Sequence, residues 1–215
     1  MLHIYTNPKS LYFEHKWNLY GHTQSISQTY SSAFVKLSTI KTIADFWCTM
    51  NNIPSAYDLH SHQIFMDEKR IVAYSLFKEN ITPEWEHQMN INGCELGFRD
   101  ELDVETFSQL WNTFTLSAVN NEIDHVVGIR AINKCNKSRC IYKFEIWLDT
   151  VDETHIKYVQ DFINKAFGHL VHSFSLMYHH EKQSQANEYT KKKLGGRSGK
   201  KHNTFRANDQ HKKNV

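Results

Sequence analysis

The sequence is short of structure breakers. Its 215 residues include three prolines (Pro8, Pro54, Pro83) and eight glycines. No Pro-rich linker, Gly-Ser spacer or internal repeat divides the chain, so one domain is expected. Cysteine is scarce as well. Cys48, Cys94, Cys135 and Cys140 are too few for a disulfide scaffold at this length. No apolar run approaches the ~18 residues of a membrane-spanning helix. The opening stretch MLHIYTNPK has no apolar core followed by a cleavage site, so a secretory signal is not expected. These absences point to the reducing cytosol or the nucleus. Also missing are a Gly-rich phosphate loop, a nucleophile elbow and a paired-carboxylate motif, so no enzyme activity is expected. There are 14 histidines, but neither Cys135-x4-Cys140 nor His179-His180 has a standard zinc spacing. No metal or other cofactor is expected.

Charge of one sign is lacking on average, with a formal net charge of +2, but not locally. Residues 191–215 hold nine Lys/Arg against one acid, Asp209, and the first 190 residues hold 16 Lys/Arg against 22 Asp/Glu. A mildly acidic body therefore carries a strongly basic tail, and such a tail suits an anionic partner such as nucleic acid. Hydrophobic residues make up 40% of the chain and aromatics 13%, enough for a sizeable core.

Three segments have helical periodicity. Thr42 and Asp45 form a capping-box variant, followed by Ile43, Phe46, Trp47 and Met50 at helical spacing. A second stripe, Val104, Phe107, Trp111, Phe114 and Ala118, predicts a helix over 103–118. A third starts near Thr154, carries Ile156, Val159, Ile163 and Phe167, and stops at Gly168, where a left-handed cap is the expectation. Strands are expected at 15–20, 33–37, 72–77, 95–99, 126–132, 141–148 and 170–178. In 141–148, Tyr142, Phe144, Ile146 and Leu148 point one way, and Ile141, Lys143, Glu145 and Trp147 point the other. The second set is expected to face something wet. Helices separated by strand pairs, without regular β-α alternation, imply an α+β fold with an antiparallel sheet.

The most informative stretch is YSLFKENITPEWE at 74–86. Pro83 sets a turn just before Trp85 and Glu86. An aromatic ring beside a carboxylate can read a purine: the ring stacks on the base, and the carboxylate accepts two hydrogen bonds from the guanine edge. Methylation of guanine at its imidazole nitrogen adds positive charge, and the stack then gains a cation–π contribution.

With HKWNLY (15–20), DFW (45–47), YSLFK (74–78), PEWE (83–86), LW (110–111), VVGIR (126–130) and KFEIW (143–147), the chain resembles the eukaryotic translation initiation factor 4E family. That resemblance implies a curved antiparallel sheet of about eight strands with three helices on the convex face. The domain would span 11–180, between a flexible N-terminus at 1–10 and a basic, largely flexible tail at 181–215. It implies binding of the 7-methylguanosine cap of mRNA and a part in translation initiation or its regulation. Tyr30 and Trp85 would sandwich the base, and Glu86 would read the guanine edge. Trp147 would touch the methyl group, and Arg130 and Lys143 would hold the phosphates. Arg197, in an Arg-Ser-Gly sequence of the tail, would approach the phosphates too. Scaffold factor 4G or 4E-binding proteins would dock on the convex face at Trp47, Ile43, Leu11 and Phe13. The alternative is a paralogue with a degenerate cap site that regulates translation mainly through protein interactions.

Four departures from the family stand out. Tyr30 replaces the usual Trp, and Asn112 replaces an apolar groove residue. Residues 55–73 read as a long inserted loop that approaches the cap site. Residues 131–140 read as an extended basic hairpin carrying Lys134, Lys137 and Arg139.

Overall fold

Thr42 opens the first helix with its side chain. Its hydroxyl accepts the Asp45 amide at 3.0 Å, and the Asp45 carboxylate accepts the Thr42 amide at 3.0 Å, completing the capping box. The computed structural model describes residues 11–24, 33–54, 59, 64–66, 69–136, 138–168, 174–182 and 184. Along them run β1 (Tyr12–Gln24), β2 (Phe34–Thr42), α1 (Ile43–Asn52), β3 (Phe65–Met66), β4 (Lys69–Lys78) and β5 (Cys94–Glu101). Then follow α2 (Val104–Val119), β6 (Val126–Asn133), β7 (Ile141–Leu148), α3 (Glu153–Phe167) and β8 (Ser175–Tyr178).

Among the described residues the strand pairs are antiparallel, in the order β2-β1-β4-β6-β7-β5-β8, with β3 added to β4. The α+β class, the curved sheet and the three helices on its convex face match the expectation. One face of each central strand enters the main core: Trp17 and Leu19, Tyr74 and Leu76, Leu96 and Phe98, Phe144 and Ile146. The helices close that core with Phe46 from α1, Phe107, Leu110 and Phe114 from α2, and Ile156, Val159 and Ile163 from α3. Phe98 stacks on Phe144 at 5.3 Å, and each buried aromatic stabilises by roughly 2–3 kcal/mol. Asp103 and Asp152 cap α2 and α3 by accepting the amides of Thr106 (2.7 Å) and His155 (2.8 Å).

Three expectations need correction. Gly168 ends α3, but its φ of −57° is right-handed, not left-handed. Its fit there is steric, because a Cβ would lie 2.4 Å from the Asn164 carbonyl oxygen. The 55–73 insertion is not all loop. β3 pairs Phe65 with Arg70, and β4 starts at Lys69 because Ile71 and Ala73 alternate into buried positions. The outward face of β7 is not wet: Glu145 is 3% exposed and Trp147 0%.

That buried outward face is a second, smaller core on the concave side. Phe77, Ile81, Val127 and Trp147 form it, with Tyr20 and Trp85 packed against them. Gly128 makes it possible. The Phe77 ring lies flat over it, so a Cβ there would stand 2.3 Å from a ring carbon. Phe77 in turn meets Trp147 edge-on, with ring centres 5.2 Å apart.

Candidate functional site

The concave face gathers Trp85, Glu86, Arg130, Lys143 and Trp147. Tyr30 and Arg197 lie outside the described residues. Trp85 and Glu86 sit in the loop between β4 and β5, and one buried side chain organises that loop. Asn90 is fully buried; its Nδ2 donates to the carbonyls of Thr82 (2.9 Å) and Glu84 (2.8 Å). The main-chain carbonyl of Asn90 accepts the Gly93 amide (2.8 Å) and bonds His179 Nδ1 (2.7 Å). The loop is thus clamped from both sides of the Trp-Glu pair. Trp85 is half-buried and Glu86 exposed, an arrangement in which the ring is anchored and the carboxylate is available.

Arg130 and Lys143 reach the same face from β6 and β7, and both are already engaged. Arg130 Nη1 donates to Glu145 Oε2 at 3.0 Å, Nε to Ser75 Oγ at 3.3 Å, and Nη2 bonds His22 Nδ1 at 3.2 Å. Lys143 lies between two carboxylates, donating to Glu145 Oε1 and to Glu95 Oε1, the latter at 3.3 Å. Gly97 makes room for its stem, since a Cβ there would come within 3.3 Å of Lys143 Cε. Burial pushes the Glu145 carboxyl up, but Arg130 and then Lys143 overcome it and hold the group down at about 2. Burial, then Arg130, lowers His22 to about 4, so at neutral pH it is an uncharged acceptor.

Trp147 lies beneath this layer. Its Nε1 donates to Glu145 Oε2 at 3.3 Å, and its ring packs on His179 at 4.5 Å. Lys182, from a helical turn at 179–182, pairs with Glu95 and stands 4.7 Å over the Trp85 ring centre. Sequence reasoning missed Glu95, Asn90, His179 and Lys182, and read Glu145 only as a wet-face residue. Alternation along β7 places Glu145 beside Lys143 and Trp147. The others become visible only when β5, the loop and the segment after β8 meet in space.

The four residues expected at the second surface lie at the β1 and α1 edge. Trp47 is 43% exposed, Ile43 40% and Leu11 44%, whereas Phe13 is half-buried and turns edge-on to Phe46 at 6.4 Å. The β1–β2 register pairs Tyr12 with Thr42, which sets 11–13 beside the start of α1. A groove of about 240 Å³ runs nearby, lined by Met50, Ile53, Pro54, Tyr74, Trp111 and Asn112. In the 134–140 connection, Asn136 Oδ1 accepts the amides of Ser138 and Arg139, and Arg139 pairs with Glu101 at 2.9 Å. That basic turn therefore has one of its cations paired with a carboxylate, and Lys137 lies outside the described residues.

The family model for eukaryotic initiation factor 4E matches residues 12–194. The chain belongs to the eukaryotic initiation factor 4E family. It is 30% identical over 146 residues to eukaryotic translation initiation factor 4E of Dictyostelium discoideum, covering 65% of this chain and 53% of that one. It is 25% identical over 141 residues to initiation factor 4E-2 of Schizosaccharomyces pombe, covering 62% and 52%. The chain spans about half the length of these curated relatives. Among solved structures, it is similar to C. elegans eIF4E-3 in complex with the 4E-binding protein Mextli and a cap analog. The TM-score is 0.66 at 16% identity, covering 81% of this chain and 95% of that one. It is also similar to a schistosome eIF4E complexed with m7GpppA and 4E-BP, with TM-score 0.58 and 19% identity, covering 73% and 81%.

Proposed function

We propose that this chain binds the 7-methylguanosine cap of mRNA in the cytoplasm and acts in translation initiation, or regulates it, through a helical partner on its convex face. The observation that carries the reading is the half-buried Trp85 ring, packed against the cluster of Phe77, Ile81, Val127 and Trp147, on a loop that leaves the adjacent Glu86 exposed. An indole face suits a cationic base, and an adjacent exposed carboxylate suits the guanine edge. Tyr30 supplies the second stacking face. Arg130 and Lys143 face the phosphates, with Trp147 behind the base. Scaffold factor 4G or a 4E-binding protein docks at Trp47, Ile43 and Leu11, with Phe13 supporting that edge.

The test is a fluorescence titration with 7-methylguanosine triphosphate and with unmethylated GTP. Tighter binding of the methylated ligand is expected; equal affinities would refute the reading. A second reading is a protein-interaction regulator with a weakened cap site. It draws support from the ion pairs that already occupy Arg130 and Lys143. It requires that partner capture survive Trp85→Ala and fail in Trp47→Ala.

A further inference from the structure

Among the described residues, the concave face carries two further cations that make no ion pair and no side-chain hydrogen bond, Arg70 and Lys134. Lys134 follows from alternation along β6, which sets Arg130, Ile132 and Lys134 on one side. The β6–β7 pairing continues there, with the Lys134 amide donating to the Ile141 carbonyl at 2.9 Å. Burial and Arg130 lower His22 most, and the Lys134 charge adds to them, so Lys134 stands near the layer that holds Arg130.

Arg70 arrives from β4. Ala73 pairs with His22 and Ile71 with Thr23, so Val72 is the extra residue of a bulge. Ile71 then enters the main core, and Arg70, its neighbour, turns to the concave face opposite Phe65 of β3. Arg70 Nε is buried without a hydrogen-bond partner, and Phe65 is 57% exposed. Asp67 and Glu68 match Lys69 and Arg70 in number along the sequence, so attraction here depends on placed groups rather than a net field.

These three residues extend the site already described. Phe77 and Trp147 pair with Gly128 at one end of the β4–β6–β7 surface, and Ser75 and Glu145 pair with Arg130 further along. Lys134 lies four residues beyond Arg130, about 13 Å along the strand, and Arg70 lies a similar distance beyond Ser75. A nucleotide on Trp85 with its phosphates at Arg130 fills the first half of this path. The second half lies beyond it. Both insertions that depart from the family feed that half: Phe65 and Arg70 belong to 55–73, and Lys134 to 131–140.

We propose that Phe65, Arg70 and Lys134 form a second site, for the single-stranded RNA that continues from a capped 5′ end. The two cations take backbone phosphates, and the Phe65 ring stacks on a base. This rests on the cap-binding reading above. The occupant is an RNA strand because the patch continues the concave site and joins unpaired cations to an exposed aromatic face. That combination holds single strands without reading their sequence.

The full chain is titrated with 7-methylguanosine triphosphate, with GTP, and with a capped RNA of about ten nucleotides. Capped RNA should bind at least about fivefold tighter than the methylated triphosphate. Phe65→Ala should lower capped-RNA affinity roughly tenfold and leave the triphosphate within about twofold. In the double variant Arg70→Gln, Lys134→Gln, the slope of log affinity against log salt for capped RNA should shrink by about 1.4, about 0.7 per phosphate. Phe65 is exposed and neither cation has a side-chain partner, so these variants should fold, as circular dichroism verifies. Wild-type capped RNA that binds no tighter than the triphosphate overturns the proposal. So do folded variants with wild-type RNA affinity and salt slope, or an equal loss for RNA and triphosphate. Each of these leaves the cap reading standing. Equal affinity for the methylated triphosphate and GTP refutes the cap reading, and this proposal with it.

Discussion

Asn90→Ala should both destabilise the protein and disable its loop. The Asn90 side chain is fully buried and donates two hydrogen bonds, to Thr82 and Glu84. Each contributes about 0.5–1.5 kcal/mol net, and truncation also leaves two loop carbonyls without their donor. The expected cost is about 2–3 kcal/mol. For a domain of this size, about 2–4 °C of Tm is lost per kcal/mol, so thermal unfolding should shift down by roughly 5–10 °C. The two carbonyls stand before Trp85 and Asn90 stands after it, so losing the clamp also frees the ring and Glu86 to wander. Affinity for 7-methylguanosine triphosphate should fall at least about tenfold, ~1.4 kcal/mol, at a temperature where the variant is fully folded. The neighbouring Met89 is 51% exposed, and Met89→Ala should stay within about 0.5 kcal/mol of wild type. Calorimetry and fluorescence titration on the three proteins test this. An Asn90→Ala variant with wild-type Tm and affinity would refute the clamp.

The remaining predictions concern the core beneath the site, its acid limb and the convex face. Gly128→Ala should cost about 1–3 kcal/mol in urea unfolding, because its Cβ would stand 2.3 Å from the Phe77 ring that packs on Trp147. Glu145 is held down at about 2, below its unfolded value of 4.5, so its stabilisation is complete above pH 4.5 and fades as pH falls toward 2. Glu145→Gln should lose stability at neutral pH and flatten that limb in unfolding curves taken from pH 7 to 2. His22 is lowered to about 4 from 6.5, so the fold loses stability as pH falls through that window, and His22→Gln should remove this slope from the same curves. Trp47→Ala, at a 43% exposed position, should leave Tm within about 1–2 °C while abolishing capture of a 4E-binding helix on cap resin.

Much of the fold could be read from local signals. The Thr42–Asp45 box, the α2 stripe and the alternation in 141–148 each place an element within a residue or two, because caps and periodicity act over a single turn or pleat. β3 leaves no local signal: its two residues, Phe65 and Met66, carry no period of their own, and they are strand only because β4 extends to meet them. Gly168 marks a stop in the sequence for a torsional reason, whereas the operative one is space beside the Asn164 carbonyl.

The site divides along the same line. Trp85 and Glu86 are adjacent in the chain, and their chemistry is visible in two letters. The charge of the surface proposed to face the phosphates is not. Arg130 and Lys143 read as two cations, and the alternation in β7 places Glu145 on the Lys143 side. Whether Glu145 is a solvated charge or a buried counterion depends on what covers it. Around it, the turn after β8 brings His179 onto Trp147 and Lys182 onto Glu95, and the loop clamped by Asn90 packs Trp85 against the Trp147 cluster. These groups are separated by up to about a hundred residues, and no window on the sequence joins them. Once they are joined, Lys143 serves as a partner to two acids before it can serve a phosphate. A basic residue at a phosphate-facing position is therefore no measure of phosphate affinity until its counterions are counted.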